Sequence, residues 1–233
     1  MNLLRYSTLL LCYALSPFAV SCETFSFETE RQVFQGYEQA IKQASTSQQP
    51  SSYDFLLLSI KYRYGFGTKI NLTKSTAYLQ NMAQSDETSI TALKYYFLAT
   101  NKLCDGFDTQ SLTYLKQSAQ LGNHSARFLY HYLTYYRSDT TSLEQYVAAL
   151  MALAKDYDKY AIFELIYLAQ TYQLKRPEIE IYQRTFAEST VFATCDLYEF
   201  ARRGSGVNGL VVGWAEKQQL ITRYWPDYVK QCQ

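Results

Sequence analysis

The sequence predicts an all-α fold, an α-solenoid of stacked antiparallel helix pairs with a helical cap at each end. Three observations predict it. From Tyr53 onward apolar residues recur at three- and four-residue intervals in segments of about 12 residues, and strand alternation is scarce. Only 9 glycines and 4 prolines punctuate the 233 residues, so the helical segments are broken seldom and briefly. Small residues recur at one period: Ala92, Ala126 and Ala161 stand 34 and 35 residues apart, with Asp54 in the equivalent place 38 residues before Ala92. A lone helical hairpin of this length leaves an apolar face uncovered, and stacking on a neighbouring hairpin covers it.

The elements follow in chain order. Residues 1–21, MNLLRYSTLLLCYALSPFAVS, carry one positive charge at Arg5, an apolar run from Leu9 to Ala14, and the small-residue exit Ala19-Val20-Ser21. They read as a secretory signal peptide. The run is too short for a bilayer, which needs ~20 apolar residues, so no transmembrane span is expected. Residues 22–49 are expected to form an N-terminal cap, one helix from about Glu28 to Ser45, leading into the linker TSQQPSS. Residues 50–176 form the repeat region. Residues 177–233 close the stack with two longer helices, at about 177–202 and 210–223, the last ended by Trp225-Pro226.

Within the repeat region, the stretch YRYGFGTKINLTKSTAYLQNMAQ from residue 62 sets two glycines between two helical runs. Gly65 and Gly67 end the first helix, where a left-handed backbone costs glycine little, and Asn71 or Thr73 caps the second. The second-helix stretch Tyr78-Leu79-Gln80-Asn81-Met82-Ala83 has a counterpart in Tyr114-Leu115-Lys116-Gln117-Ser118-Ala119. Gly122 then marks the turn to the next unit.

These residues carry a family resemblance. The pattern Leu58-x3-Tyr62-x2-Gly65-x-Gly67-x3-Asn71-x2-Lys74-Ser75-x2-Tyr78-Leu79-x-Asn81-Met82-Ala83 is similar to the Sel-one-like repeat, a relative of the tetratricopeptide repeat. The run from Leu112 through Ala119-x2-Gly122-x3-Ala126 resembles the family's hand-over between units. The likeness covers about residues 50–172. It implies a non-enzymatic scaffold or adaptor of the bacterial cell envelope that binds a protein partner through the solenoid groove, and some members act as immunity proteins against secreted toxins. Cysteine-rich relatives linked to wall ligands imply the alternative of an envelope hydrolase or cell-wall-fragment binder. Those relatives repeat a disulfide in each unit, and this chain does not.

Two readings of the compartment stand side by side. Phe18-Ala19-Val20-Ser21-Cys22 resembles a lipobox, except that Ala19 stands where leucine is usual. Acylation of Cys22 implies an outer-membrane-anchored lipoprotein; simple cleavage implies a soluble periplasmic protein. With Cys22 acylated, Cys104, Cys195 and Cys232 remain as disulfide candidates. With it free, four mature cysteines permit two disulfides in three connectivities.

Composition narrows the function classes. The 22 basic and 21 acidic residues are interspersed and the net charge is +1, so no nucleic-acid partner is expected. No nucleophile elbow or metalloprotease signature occurs, and no catalytic residues or cofactor are assigned. His124 and His131 are seven apart, wider than a helical metal pair, so no metal is expected. Gly204-Ser205-Gly206-Val207-Asn208-Gly209 matches a dinucleotide fingerprint in form, but helix rather than strand precedes it, and it reads as a turn. Binding falls instead to a polar strip. Between Ala126 and Tyr136 nearly every residue is apolar or aromatic except Arg127, His131 and Thr134; Lys94 and Asn101 hold a comparable strip one unit earlier. With the flanking tyrosines Tyr95 and Tyr132, these residues are expected to line a groove for a protein partner. A solvated strip without a ligand is the alternative.

Overall fold

The computed structural model describes residues 31–188 apart from 32, 84, 86 and 105, together with 197 and 214–226. These residues form ten α-helices and no strand. They are α1 (Glu38–Ala44), α2 (Ser52–Tyr64), α3 (Leu72–Asn81), α4 (Thr88–Leu103), α5 (Thr109–Gln120), α6 (His124–Arg137), α7 (Leu143–Lys155), α8 (Lys159–Tyr172), α9 (Pro177–Glu188) and α10 (Trp214–Tyr224). No described helix is long and apolar enough to cross a membrane.

Each helix from α1 to α9 packs on the next, in an arrangement consistent with an α-solenoid. The first helices of the four pairs, α2, α4, α6 and α8, begin at Ser52, Thr88, His124 and Lys159, spaced 36, 36 and 35 residues apart. Side-chain caps set most of these starts. The oxygens of Ser51, Asn123 and Asp158 accept from the backbone N–H three residues on at α2, α6 and α8; Asn71, Asp108 and Ser142 do the same at α3, α5 and α7. Asp54, Ala126 and Ala161 therefore share one register, the third helical residue, and Asp54 uses it to complete a capping box with Ser51. Ala92, Ala126 and Ala161 are all buried, as close helix approach requires.

The turns divide into two kinds. Gly65 (φ 74°) and Gly122 (φ 91°) lie in the left-handed region, and Gly67 (φ 66°) joins them. After α5, the N–H of Gly122 donates to the Ala119 carbonyl and that of Asn123 to Ser118, a Schellman closure. After α7 the same pair of bonds forms from Tyr157 to Ala154 and from Asp158 to Leu153, yet the left-handed residue there is Tyr157 (φ 59°). Gln173 (φ 54°) closes α8.

Aromatic pairs tie the two helices of every unit together. Tyr62 stacks on Tyr78 (centroids 5.6 Å apart), Tyr95 on Tyr114 (6.1 Å), Tyr135 on Tyr146 (4.3 Å) and Phe163 on Phe186 (5.8 Å). In each case the first ring belongs to the first helix of the pair and the second ring to its partner helix. Six of the chain's 23 tyrosines thus have a structural use that recurs with the repeat.

At the N-terminal end, the helix expected over Glu28–Ser45 is helical at residues 31, 33 and 34, tightens to a 3-10 turn at Gln35–Tyr37 and continues as α1. Gly36 sits in that turn, where its low helix propensity favours a break. Phe34 closes this end by stacking on Tyr64 at 5.6 Å and meeting Phe97 edge-on at 6.0 Å. At the other end α9 is described to Glu188 and α10 from Trp214. Of the helix expected beyond 188 only Leu197, helical and buried, is described; the glycine-rich turn at 204–209 and residues 1–30 lie outside the described residues.

Candidate functional site

The predicted strip is half-buried and already engaged. The Arg127 guanidinium lies 2.6 Å from His124 Nδ1 and 3.3 Å from Asp156 Oδ2 at the junction of α6 with the α7–α8 turn. His131 stands one turn further along α6; burial, and then Arg127, lower its pKa. Thr134 Oγ1 donates to the Tyr130 carbonyl at 2.7 Å. In α4, Lys94 Nζ donates to the Met82 carbonyl at 2.6 Å, so that it caps the end of α3, and burial lowers its pKa. Tyr95 spends one ring face on Tyr114.

Two residues of the strip are elsewhere. Asn101 is 3% exposed. Its amide donates to Ser75 Oγ at 2.9 Å and Thr76 Oγ1 at 3.2 Å, and its carbonyl accepts from Arg63. The Arg63 guanidinium is itself fully buried, over the rings of Tyr64 and Phe97 at 5.3 and 5.2 Å. Asn101 is drawn inward because this buried charge needs a carbonyl acceptor, a demand that the α4 sequence alone does not reveal. Tyr132 is 0% exposed for a related reason, the presence of a buried ammonium group.

That ammonium belongs to Lys217 of α10. Its Nζ sits 2.8 Å from Glu164 Oε2 of α8, and neither side chain has any exposure. Three tyrosine rings surround it, with centroids at 5.0 Å (Tyr132), 5.3 Å (Tyr136) and 4.5 Å (Tyr167). Nζ also donates to the Tyr132 hydroxyl at 3.3 Å, and the Tyr136 hydroxyl donates to Glu164 Oε1 at 2.6 Å. Glu164 therefore meets a cation with one oxygen and a phenol with the other. Burial lowers the Lys217 pKa while Glu164 opposes the shift; burial, reinforced by Glu164, raises that of Tyr136 far above the ordinary phenol range. Tyr146, fully buried beside Tyr135 and Tyr136, is raised chiefly by burial as well.

A cleft of about 280 Å³ opens beside this cluster, between α8 and α10. Tyr167 lines both. The sequence reading named Tyr132, as a groove tyrosine, but did not single out Tyr136, Glu164, Tyr167 or Lys217. Glu164 did carry a signal, being the lone carboxylate in the apolar run Ala161-Ile162-Phe163-Glu164-Leu165-Ile166-Tyr167. Lys217, in the polar run of α10, carried none.

Of the cysteines, Cys104 is disulfide-bonded. Cys22, Cys195 and Cys232 lie outside the described residues. No family model matches the sequence, and neither the curated proteins nor the solved structures contain a significant match to it.

Proposed function

We propose that the chain is an exported, non-enzymatic docking protein of the bacterial envelope, built from Sel-one-like repeats, which holds a protein partner on the exposed side of its first helices. The observation that carries this reading is the regular run of four helix pairs at 36-, 36- and 35-residue spacing, an architecture whose extended faces suit protein recognition. The half-buried Arg127, His131 and Thr134 share one side of α6, and Arg127, with Tyr95 of α4, is of a residue type that serves as a binding anchor. Asn101 and Tyr132 take no part. The disulfide at Cys104 supports an oxidising compartment, in keeping with export through residues 1–21. An immunity role against a secreted toxin is the form of docking that the resemblance favours, and Cys22 is the candidate anchor.

Site-specific photo-crosslinking in the native envelope tests the reading. A probe at Tyr95, Arg127 or His131 is expected to give a discrete protein adduct, whereas one at Lys116 or Ala148 on the second helices gives none. Adducts from the second helices alone would refute the assigned face. Intact mass of the purified envelope form reports cleavage before Cys22 and the presence or absence of acyl chains.

A further inference from the structure

The tyrosine cluster around Lys217 is built like a receptor for an ammonium group. Three tyrosines approach one cation with ring centroids at 4.5–5.3 Å, Tyr132 also meeting it through its hydroxyl at 3.3 Å, and a buried carboxylate completes the site at 2.8 Å. The walls come from α6 (Tyr132, Tyr136) and α8 (Glu164, Tyr167), two first helices of successive units, while the cation alone comes from α10. We propose that Tyr132, Tyr136, Glu164 and Tyr167 form a binding site for a lysine side chain, and that α10 occupies it as a ligand in cis that a lysine-bearing helix supplied in trans can replace.

Two physical features favour recognition over simple stability. A buried ion pair seldom holds a helix better than apolar residues of the same volume, because desolvation of both charges offsets their attraction. What the pair does supply is selectivity: only a cation of the right reach satisfies Glu164, and an incoming helix without one leaves that carboxylate unpaired. The second feature is access. Tyr167 belongs both to the cage and to the lining of the cleft between α8 and α10, so the two share a residue on the side where α10 lies. Among the described residues, α10 buries Leu220 and Ile221, its Tyr224 meets Phe186 edge-on at 5.7 Å and accepts from Gln183 at 2.8 Å, and Trp225 follows it into the core.

The cage is separate from the docking face at Arg127, which lies on roughly the opposite side of α6 from Tyr132 and Tyr136. Its test uses the full chain with Lys217→Ala, which empties the cage. n-Propylammonium chloride is expected to raise the melting temperature of this variant saturably, whereas sodium chloride and n-propanol do not and the wild type is unaffected. Adding Glu164→Gln to the variant should abolish the rescue. Should Lys217→Ala not fold unaided, refolding yield with and without n-propylammonium becomes the readout. In parallel, a labelled peptide of residues 214–226 is expected to bind Lys217→Ala about tenfold or more tightly than the same peptide with alanine for lysine. Absence of any n-propylammonium effect, or equal binding of the two peptides, would overturn the site. Either result would leave the photo-crosslinking map at Tyr95 and Arg127 unchanged, so the two readings fail separately.

Discussion

Ser118 Oγ donates a 2.7 Å hydrogen bond to the backbone carbonyl of Ala92, and both residues are buried. The bond joins the second helix of one pair, α5, to the start of its first helix, α4. The hydroxyl reaches the carbonyl only because no larger side chain stands between the helices at Ala92, which is the fifth residue of α4 and not the third, the place held by Ala126 in α6 and Ala161 in α8.

Ala92→Leu should therefore destabilise the chain by about 1–3 kcal/mol through overpacking. Ser118→Ala should cost about 1 kcal/mol, the net worth of one buried hydrogen bond. Urea unfolding followed by circular dichroism checks both, and a tolerated Ala92→Leu would mean that the interface is looser than the burial indicates.

The turn residues should respond with opposite signs. At Gly65, a Cβ would meet the Thr68 carbonyl oxygen at 3.1 Å and Ile70 Cγ1 at 3.2 Å while the backbone stays at φ 74°. Gly65→Val should cost about 1–3 kcal/mol. Tyr157 is the reverse case, a 79% exposed side chain on a left-handed backbone. Tyr157→Gly should raise stability by about 1 kcal/mol, because glycine escapes the steric penalty of that conformation. Paired thermal melts of the two variants give the signs directly.

Breaking the buried pair on one side should be far worse than removing it whole. Lys217→Met leaves the Glu164 carboxylate buried without its cation, at a cost of about 3–5 kcal/mol. Glu164→Leu combined with Lys217→Met should recover most of that loss. A double-mutant cycle in urea measures the coupling, and additive single effects would show that the two residues do not act as a pair.

Acid should weaken the fold through His131. Its folded pKa lies below the ordinary 6.5, by burial first and Arg127 second. As pH falls through that value the unfolded chain takes up the proton before the folded chain does. The stabilisation is thus complete above the unfolded pKa and lost as pH drops toward the folded one. The urea midpoint of the wild type should fall more steeply below pH 6.5 than that of His131→Gln. Parallel curves would place the pH sensitivity elsewhere.

Helicity, pairing and period were legible in the sequence because they rest on local chemistry. Apolar spacing, the cap at Asn71, and the turns at Gly65 and Gly122 each act over a few residues, and each leaves its mark in a short stretch of chain. Tyr157 and Gln173 escaped notice for the same reason: nothing local singles out a tyrosine or glutamine as left-handed, and the Schellman bonds around Tyr157 hold it there. The polar strip was read from one helix at a time, so the periodicity that located Arg127, His131 and Thr134 could not tell that Asn101 turns inward. Arg63 lies 38 residues from Asn101, and Lys217 lies 85 residues from Tyr132. A buried charge recruits partners by distance in space, since desolvation must be offset wherever the charge comes to rest. The sequence by itself determined which helices form and how they follow one another; the tertiary structure alone decided which polar residues those helices enclose.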